Sequence, residues 1–122
     1  MKVLLALLST LLLATCAQPP PLLQRILADG ELRVVTRNSP DAYYLGSHGP
    51  EGPAYDLASQ FAEHLGVPLR LYTVKTREAA IEEVAAGRAH IAAAGLSTGL
   101  ALPRGVEFGP GYQRVREHPV YR

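Results

Sequence analysis

The sequence has one cysteine in 122 residues, no long run of either charge and no apolar stretch of membrane-spanning length. A single cysteine has no partner within the chain, which excludes an internal disulfide framework. Twelve Lys/Arg stand against eleven Asp/Glu, and setting aside Lys2 leaves eleven of each. Without a basic stripe the chain lacks the electrostatic footprint of nucleic-acid binding or of a polybasic membrane surface. Also missing are a Gly-x-Ser-x-Gly elbow, a Walker-type loop and a dinucleotide glycine fingerprint. His48, His64, His90 and His118 are scattered without metal-ligand spacing, so neither metal nor cofactor is expected. Glu82 and Glu83 are adjacent, point in different directions on a helix and read as a solvated face. Asp56, early in a helix, reads as a dipole partner. No nucleophile–base pair can be named, so no catalytic residue is expected within this chain.

What is present begins with a leader. Met1-Lys2 gives a positive start and Val3 to Ala14 is almost wholly apolar. That run falls short of the roughly 20 residues a spanning helix needs and has the organisation of a secretory signal. Leu13-Ala14-Thr15-Cys16 resembles the lipobox of bacterial lipoproteins, with Thr15 in place of the usual Gly or Ala. Lipidation of Cys16 and ordinary cleavage nearby, for example after Ala17, are the two alternatives. The expected organisation is a leader over 1–16, a Pro-rich spacer over 17–21 and a partial domain over 22–122.

Within that domain, Leu22 to Ala28 forms two helical turns, with Gly30 free to supply a left-handed stop. Leu32 to Thr36 reads as a strand, and 37–53, rich in Gly, Pro, Ser and Asn, as a long loop. Ala54, Ala58, Phe61, Ala62 and Leu65 recur at helical spacing, closed by Gly66. Leu69 to Val74 alternates like a half-buried strand. Thr76 is placed to cap a second helix striped by Ala80, Ile81, Val84 and Ala85 and stopped by Gly87. Ala89 to Ala94 is the last strand. Strand–helix–strand–helix–strand implies a parallel sheet with right-handed crossovers. The alanines suit an inner strand with helices close on both faces.

In open parallel sheets, ligands bind beyond the carboxyl ends of the strands. Two loops leave such ends here. One carries Tyr43 and Tyr44; the other, in "IAAAGLSTG", carries Gly95, Ser97 and Thr98. Aromatic faces opposite bare backbone N–H groups and hydroxyls suit a small polar ligand with an apolar part. Tyr43 and Tyr44 equally suit packing under their own loop, and "GLSTG" a plain turn.

Four stretches, "GELRVVTRNSPDAYYLG", "GPAYDLASQFAEHLGVPL", "AAGRAHIAAAGLS" and "FGPGYQRVREHPVYR", resemble the family 3 periplasmic solute-binding domain. Within that family they are similar to the copy carried by lytic murein transglycosylases of the F type. The resemblance implies one parallel-sheet lobe of a periplasmic binding protein type 2 fold, incomplete, with the second lobe absent. It implies an exported, periplasmic sensor module held to the outer membrane through Cys16, taking a small-molecule or muropeptide ligand. Peptidoglycan would be met by the full-length protein, a lyase whose catalytic domain this chain lacks; no Glu-Ser dipeptide, the family's catalytic context, occurs. The alternative is the first lobe of a transport receptor for an amino acid or other small solute. Two departures stand out. Amino-acid receptors of the family carry Thr-x-x-Arg after the third strand, whereas Gly99 and Leu102 occupy those offsets and Arg104 is out of register. His90 replaces the acidic residue often found where that strand begins.

Overall fold

The computed structural model describes residues 19–114, 116 and 120. The apolar leader with Cys16, and also His118, lie outside the described residues. Helix α1 (Leu22–Asp29) ends at Gly30, whose φ of 69° lets its N–H return to the Ile26 carbonyl at 3.0 Å. Strand β1 (Leu32–Arg37) follows, then a short hairpin, β2 (Tyr44–Gly46) and β3 (Gly49–Glu51). Helix α2 (Pro53–Leu65) opens with proline at its first turn, where a missing N–H costs nothing. After β4 (Leu69–Val74), Thr76 caps α3 (Arg77–Ala85): its Oγ1 accepts from Ala79 N–H at 3.1 Å. Glu78 sits in that first turn, at the favourable end of the dipole. Strand β5 (Ile91–Ala92) completes the order.

The three long-range strands are all parallel and lie in the order β4-β1-β5. Val34 pairs with Leu71 on one side and with Ile91 on the other. The expectation of an inner position for Ala89–Ala94 is therefore corrected. Among the described residues β1 is the central strand and β5 an edge. The reason lies in side-chain size. Val34 and Val35 are both buried and fill opposite layers, whereas alanine has little to pack on a pleated surface. Pairing nevertheless runs past the two residues of β5, because His90 N–H reaches Arg33 O and Ala93 N–H reaches Val35 O, each at 2.9 Å.

Helices cover both faces. On the Val34 side, Ile26 of α1 and Ala58 and Ala62 of α2 form a cluster with Leu32, against which Ile91 and Ala93 pack. On the Val35 side, Ala80 of α3 joins Ala89 and Ala94, with Tyr72 and Ala92 alongside. Alanines thus stand on both sides of the helix–sheet contacts, where a larger side chain would push the layers apart.

Three further expectations are corrected. The segment 37–53 is not a plain loop, since it contains the β2–β3 hairpin. Phe61 leaves the buried stripe of α2 and is exposed, because Ala58 and Ala62 already hold the helix against the sheet. Glu83 is not simply solvated. Tyr72 Oη donates to its Oε2 at 2.7 Å and Arg88 Nε to its Oε1 at 2.9 Å.

Candidate functional site

Among the described residues, the carboxyl ends of the three parallel strands meet at one edge. Beyond β1, the chain turns tightly: Ser39 N–H donates to Tyr43 O at 2.8 Å and Tyr43 N–H donates back to Ser39 O at 2.9 Å. Ala42 is buried beneath this turn, and its carbonyl accepts from Ala54 N–H at 2.9 Å, tying the turn to the start of α2. Asp41 is thereby held out over the sheet edge. Its Oδ2 lies 3.4 Å from Arg37 Nη2. The same oxygen would stand 3.1 Å from a Cβ placed on Gly95, the residue leaving the β5 side. Arg77, which opens α3 after β4, brings its Nη2 to 4.0 Å from that same point. The φ of 65° at Gly95 favours glycine, and a Cβ there would need the Asp41 carboxylate to shift slightly.

The electrostatics of this edge are those of one carboxylate between two guanidiniums. The Ser39 hydroxyl, buried and without a hydrogen bond of good geometry, is still close enough to favour the charged form of Asp41. With the Arg37 and Arg77 charges, it holds the Asp41 carboxyl below its usual range. Arg37 Nε is buried without a partner, so this guanidinium has donor capacity to spare. Chemically the edge offers cationic donors, one carboxylate acceptor and a half-buried glycine backbone.

The residues expected at the site are distributed around this edge. Gly95 is at its centre. Ser97 and Thr98 are exposed in the turn that follows, where Ser97 O accepts from Leu100 N–H at 3.2 Å. Tyr43 turns towards α2 and tilts against Tyr55 at 6.3 Å between ring centroids. It lines an open hollow of about 230 Å³ with Pro50, Tyr55, Ser59, Leu69 and Leu71. Tyr44 lines a different hollow, of about 330 Å³, with Pro40, Glu51, Gly52, Pro53 and Asp56. Its Oη donates to Glu51 Oε2 at 3.1 Å, a bond that pushes the Tyr44 phenol up from its ordinary value. Among the described residues, no hydrogen bond or ring contact joins either tyrosine to Ser97 or Thr98.

Sequence reasoning missed Arg37, Asp41 and Arg77. Each has an ordinary local setting, at a strand end, in a turn and at a helix start. The available signal was positional, since Arg37 ends a strand of the parallel sheet and Asp41 and Arg77 follow strand ends.

A second polar cluster lies at the opposite, amino edge. His90 is buried, and its Nδ1 accepts from Arg33 N–H at 3.0 Å. The ring proton therefore sits on Nε2, which donates to Asp29 Oδ2 at 2.9 Å. Arg33 Nη2 reaches the same oxygen at 2.8 Å. The hydrogen bond from His90, with Arg33 beside it, holds the Asp29 carboxyl below its usual range. The position where an acid was expected is thus filled by a histidine that ties α1 to β1. No group of three His, Cys, Asp or Glu among the described residues could hold a metal ion. No helix among them is long and apolar enough to cross a membrane.

No family model matches the chain. Membrane-bound lytic murein transglycosylase F of Pseudomonas fluorescens (strain Pf-5) is 35% identical over 113 residues, covering 92% of this chain and 23% of that protein. Its namesake from Alteromonas mediterranea is 32% identical over 124 residues, covering 100% and 27%. Membrane-bound lytic murein transglycosylase F 1 of Alkalilimnicola ehrlichii is 38% identical over 105 residues, covering 86% and 21%. The chain spans about a quarter of the length of these curated relatives. Among solved structures, domain 1 of TmArgBP in its arginine-bound form superposes with a TM-score of 0.54 at 22% identity, covering 61% of this chain and 58% of that one. A variant of ArgBP from T. maritima superposes at 0.55 and 23% identity, covering 62% and 33%. The described residues have the parallel-sheet lobe fold of solute-binding proteins, in a chain related by sequence to membrane-bound lytic murein transglycosylase F.

Proposed function

We propose that residues 22–122 supply the first lobe of a periplasmic solute-binding module in a lytic transglycosylase F-like cell-wall protein. In this reading the lobe binds peptidoglycan-derived fragments and sets the activity of a catalytic domain outside this chain. The leader exports the protein, and Cys16, once lipidated, anchors it to the outer membrane. Several acyl chains on one cysteine would anchor stably where a single chain holds only marginally.

The observation that carries the reading is the convergence of Arg37, Asp41, Arg77 and Gly95 on the edge where all three strands end. A peptide fragment of the cell wall has a carboxylate for the guanidiniums and amide or amino groups for Asp41. In this reading the ligand meets Gly95 at the centre of the edge and is also contacted by Tyr43, Tyr44, Ser97 and Thr98. Arg77 takes the part that an arginine after the third strand plays in amino-acid receptors, from a different element.

The test is a titration of the full chain with purified muropeptides and, separately, with free amino acids, read by amide NMR shifts. The expected result is shifts at Asp41, Arg77 and Gly95 with muropeptides. Arg77→Ala should weaken binding by about tenfold or more, as loss of a charge-assisted bond of roughly 1.5–3 kcal/mol requires. Shifts at these residues with free amino acids alone would favour the transport-receptor reading. Shifts confined to other residues would sink the site.

A further inference from the structure

Helix α1 buries one side chain, Ile26. Leu22, Leu23 and Leu27 are 37%, 49% and 52% exposed. At about 100° per residue, Leu22, Ile26, Leu23 and Leu27 follow one another along a single arc, and Gln24, Arg25, Ala28 and Asp29 take the remainder. The apolar stripe therefore continues past the part that meets the sheet. Scattered exposed leucines are ordinary, but Leu23 and Leu27, one turn apart on the flank past Ile26, form an unpartnered face, while Leu22 lies on the other side of Ile26.

Where this helix sits in the chain identifies what covers it. Five residues separate Leu22 from Cys16, and three of them are proline. Fully extended, that tether reaches about 20 Å, and its prolines keep it stiff. If Cys16 is held in a bilayer, α1 cannot leave the vicinity of the lipid surface. We infer that the Leu23 and Leu27 face of α1 lies on the bilayer that holds the Cys16 end, with these leucines at the boundary between headgroups and acyl chains. Gln24 and Arg25, on the rest of the circumference, stay among headgroups and water. The inference rests on the anchoring proposed above. It adds an orientation: α3, on the opposite face of the sheet, points away from the lipid.

The chain has no tryptophan, so single reporters can be introduced. Leu23→Trp places one on the α1 face and Glu82→Trp one on the exposed side of α3. The full chain, made with its leader and purified in its processed form, is mixed with phosphatidylethanolamine/phosphatidylglycerol vesicles carrying brominated acyl chains. Both variants should float with the vesicles, and Leu23→Trp should be quenched at least about twofold more than Glu82→Trp. Adding Leu27→Asp to Leu23→Trp should bring quenching down to the Glu82→Trp level while flotation persists. Flotation with equal quenching at the two sites overturns the inference and leaves the anchor standing. Quenching that ignores Leu27→Asp also overturns it, because the tryptophan and not the leucine face would then be seeking lipid. Failure to float overturns the anchor and the inference together.

Discussion

Replacing Gly52 with alanine tests how the turn carrying Asp41 is built. Gly52 caps α2 at φ 122° and ψ 157°, a region open essentially to glycine alone. Forcing another residue there costs roughly 1–3 kcal/mol. A second cost is local. The new Cβ would stand 2.5 Å from Ala42 O and 3.0 Å from Tyr43 Cα, closer than real contacts allow. Relieving that clash moves the Ala42 carbonyl off Ala54 N–H, losing a bond worth about 1 kcal/mol. The expected total is about 2–4 kcal/mol. Gly49 provides the control, with the same φ of 122° and nothing within 4 Å of its Cβ position. Gly49→Ala should therefore show the backbone cost alone. In urea unfolding, with a slope of about 1–3 kcal/mol per molar, the Gly52→Ala midpoint should fall about 0.3–1 M below that of Gly49→Ala. Equal midpoints would refute the argument from close approach.

Other outcomes follow from single side chains. Tyr72 ionises at about 12, pushed up from 10.0 first by burial and then by its bond to Glu83. Because the folded state keeps a proton that the unfolded chain loses, its contribution is complete below about pH 10 and fades as pH rises towards 12. Tyr72→Phe should flatten the alkaline limb of a stability–pH curve, and an unchanged slope above pH 10 would contradict this. Ile26→Ala should cost about 2–5 kcal/mol as a buried aliphatic truncation. Since Ile26 alone holds α1 through burial, amide exchange in 22–29 should rise before exchange in β1; preserved protection there would show that the Asp29 contacts suffice.

The strands and helices that pack against one another were readable because their periodicity reports burial. Leu69–Val74 and the Thr76 cap appear where alternation and side-chain chemistry place them. The hairpin was hidden because Tyr44-Leu45-Gly46 and Gly49-Pro50-Glu51 are too short to alternate, and proline usually argues against a strand. Ser47 and His48 between them were the one turn-length signal. Strand order was equally hidden, since pairing between distant segments leaves no mark in either segment. The fold was legible for the same reason that the site was only partly so. Gly95 advertises a bare backbone by its type. Asp41 and Arg77 acquire meaning only when the loop after β1 and the helix after β4 are brought to one edge.

The central strand is also the earliest to be made. Leu32 must wait for Leu69, and Val34 for Ile91, before β1 has a neighbour on either side. The chain cannot close its sheet until more than fifty further residues have emerged, as the spacing of Arg33 and His90 shows. Until then Leu-Arg-Val-Val-Thr-Arg is an unpaired, β-prone segment, a hazard for association between nascent copies. Distant pairing of this kind slows folding, because loop closure is unfavourable until the contacts it permits have formed. If the leader exports the chain as proposed, that delay favours passage before the sheet closes. Keeping the chain open would then mean holding both Leu69 away from Leu32 and Ile91 away from Val34.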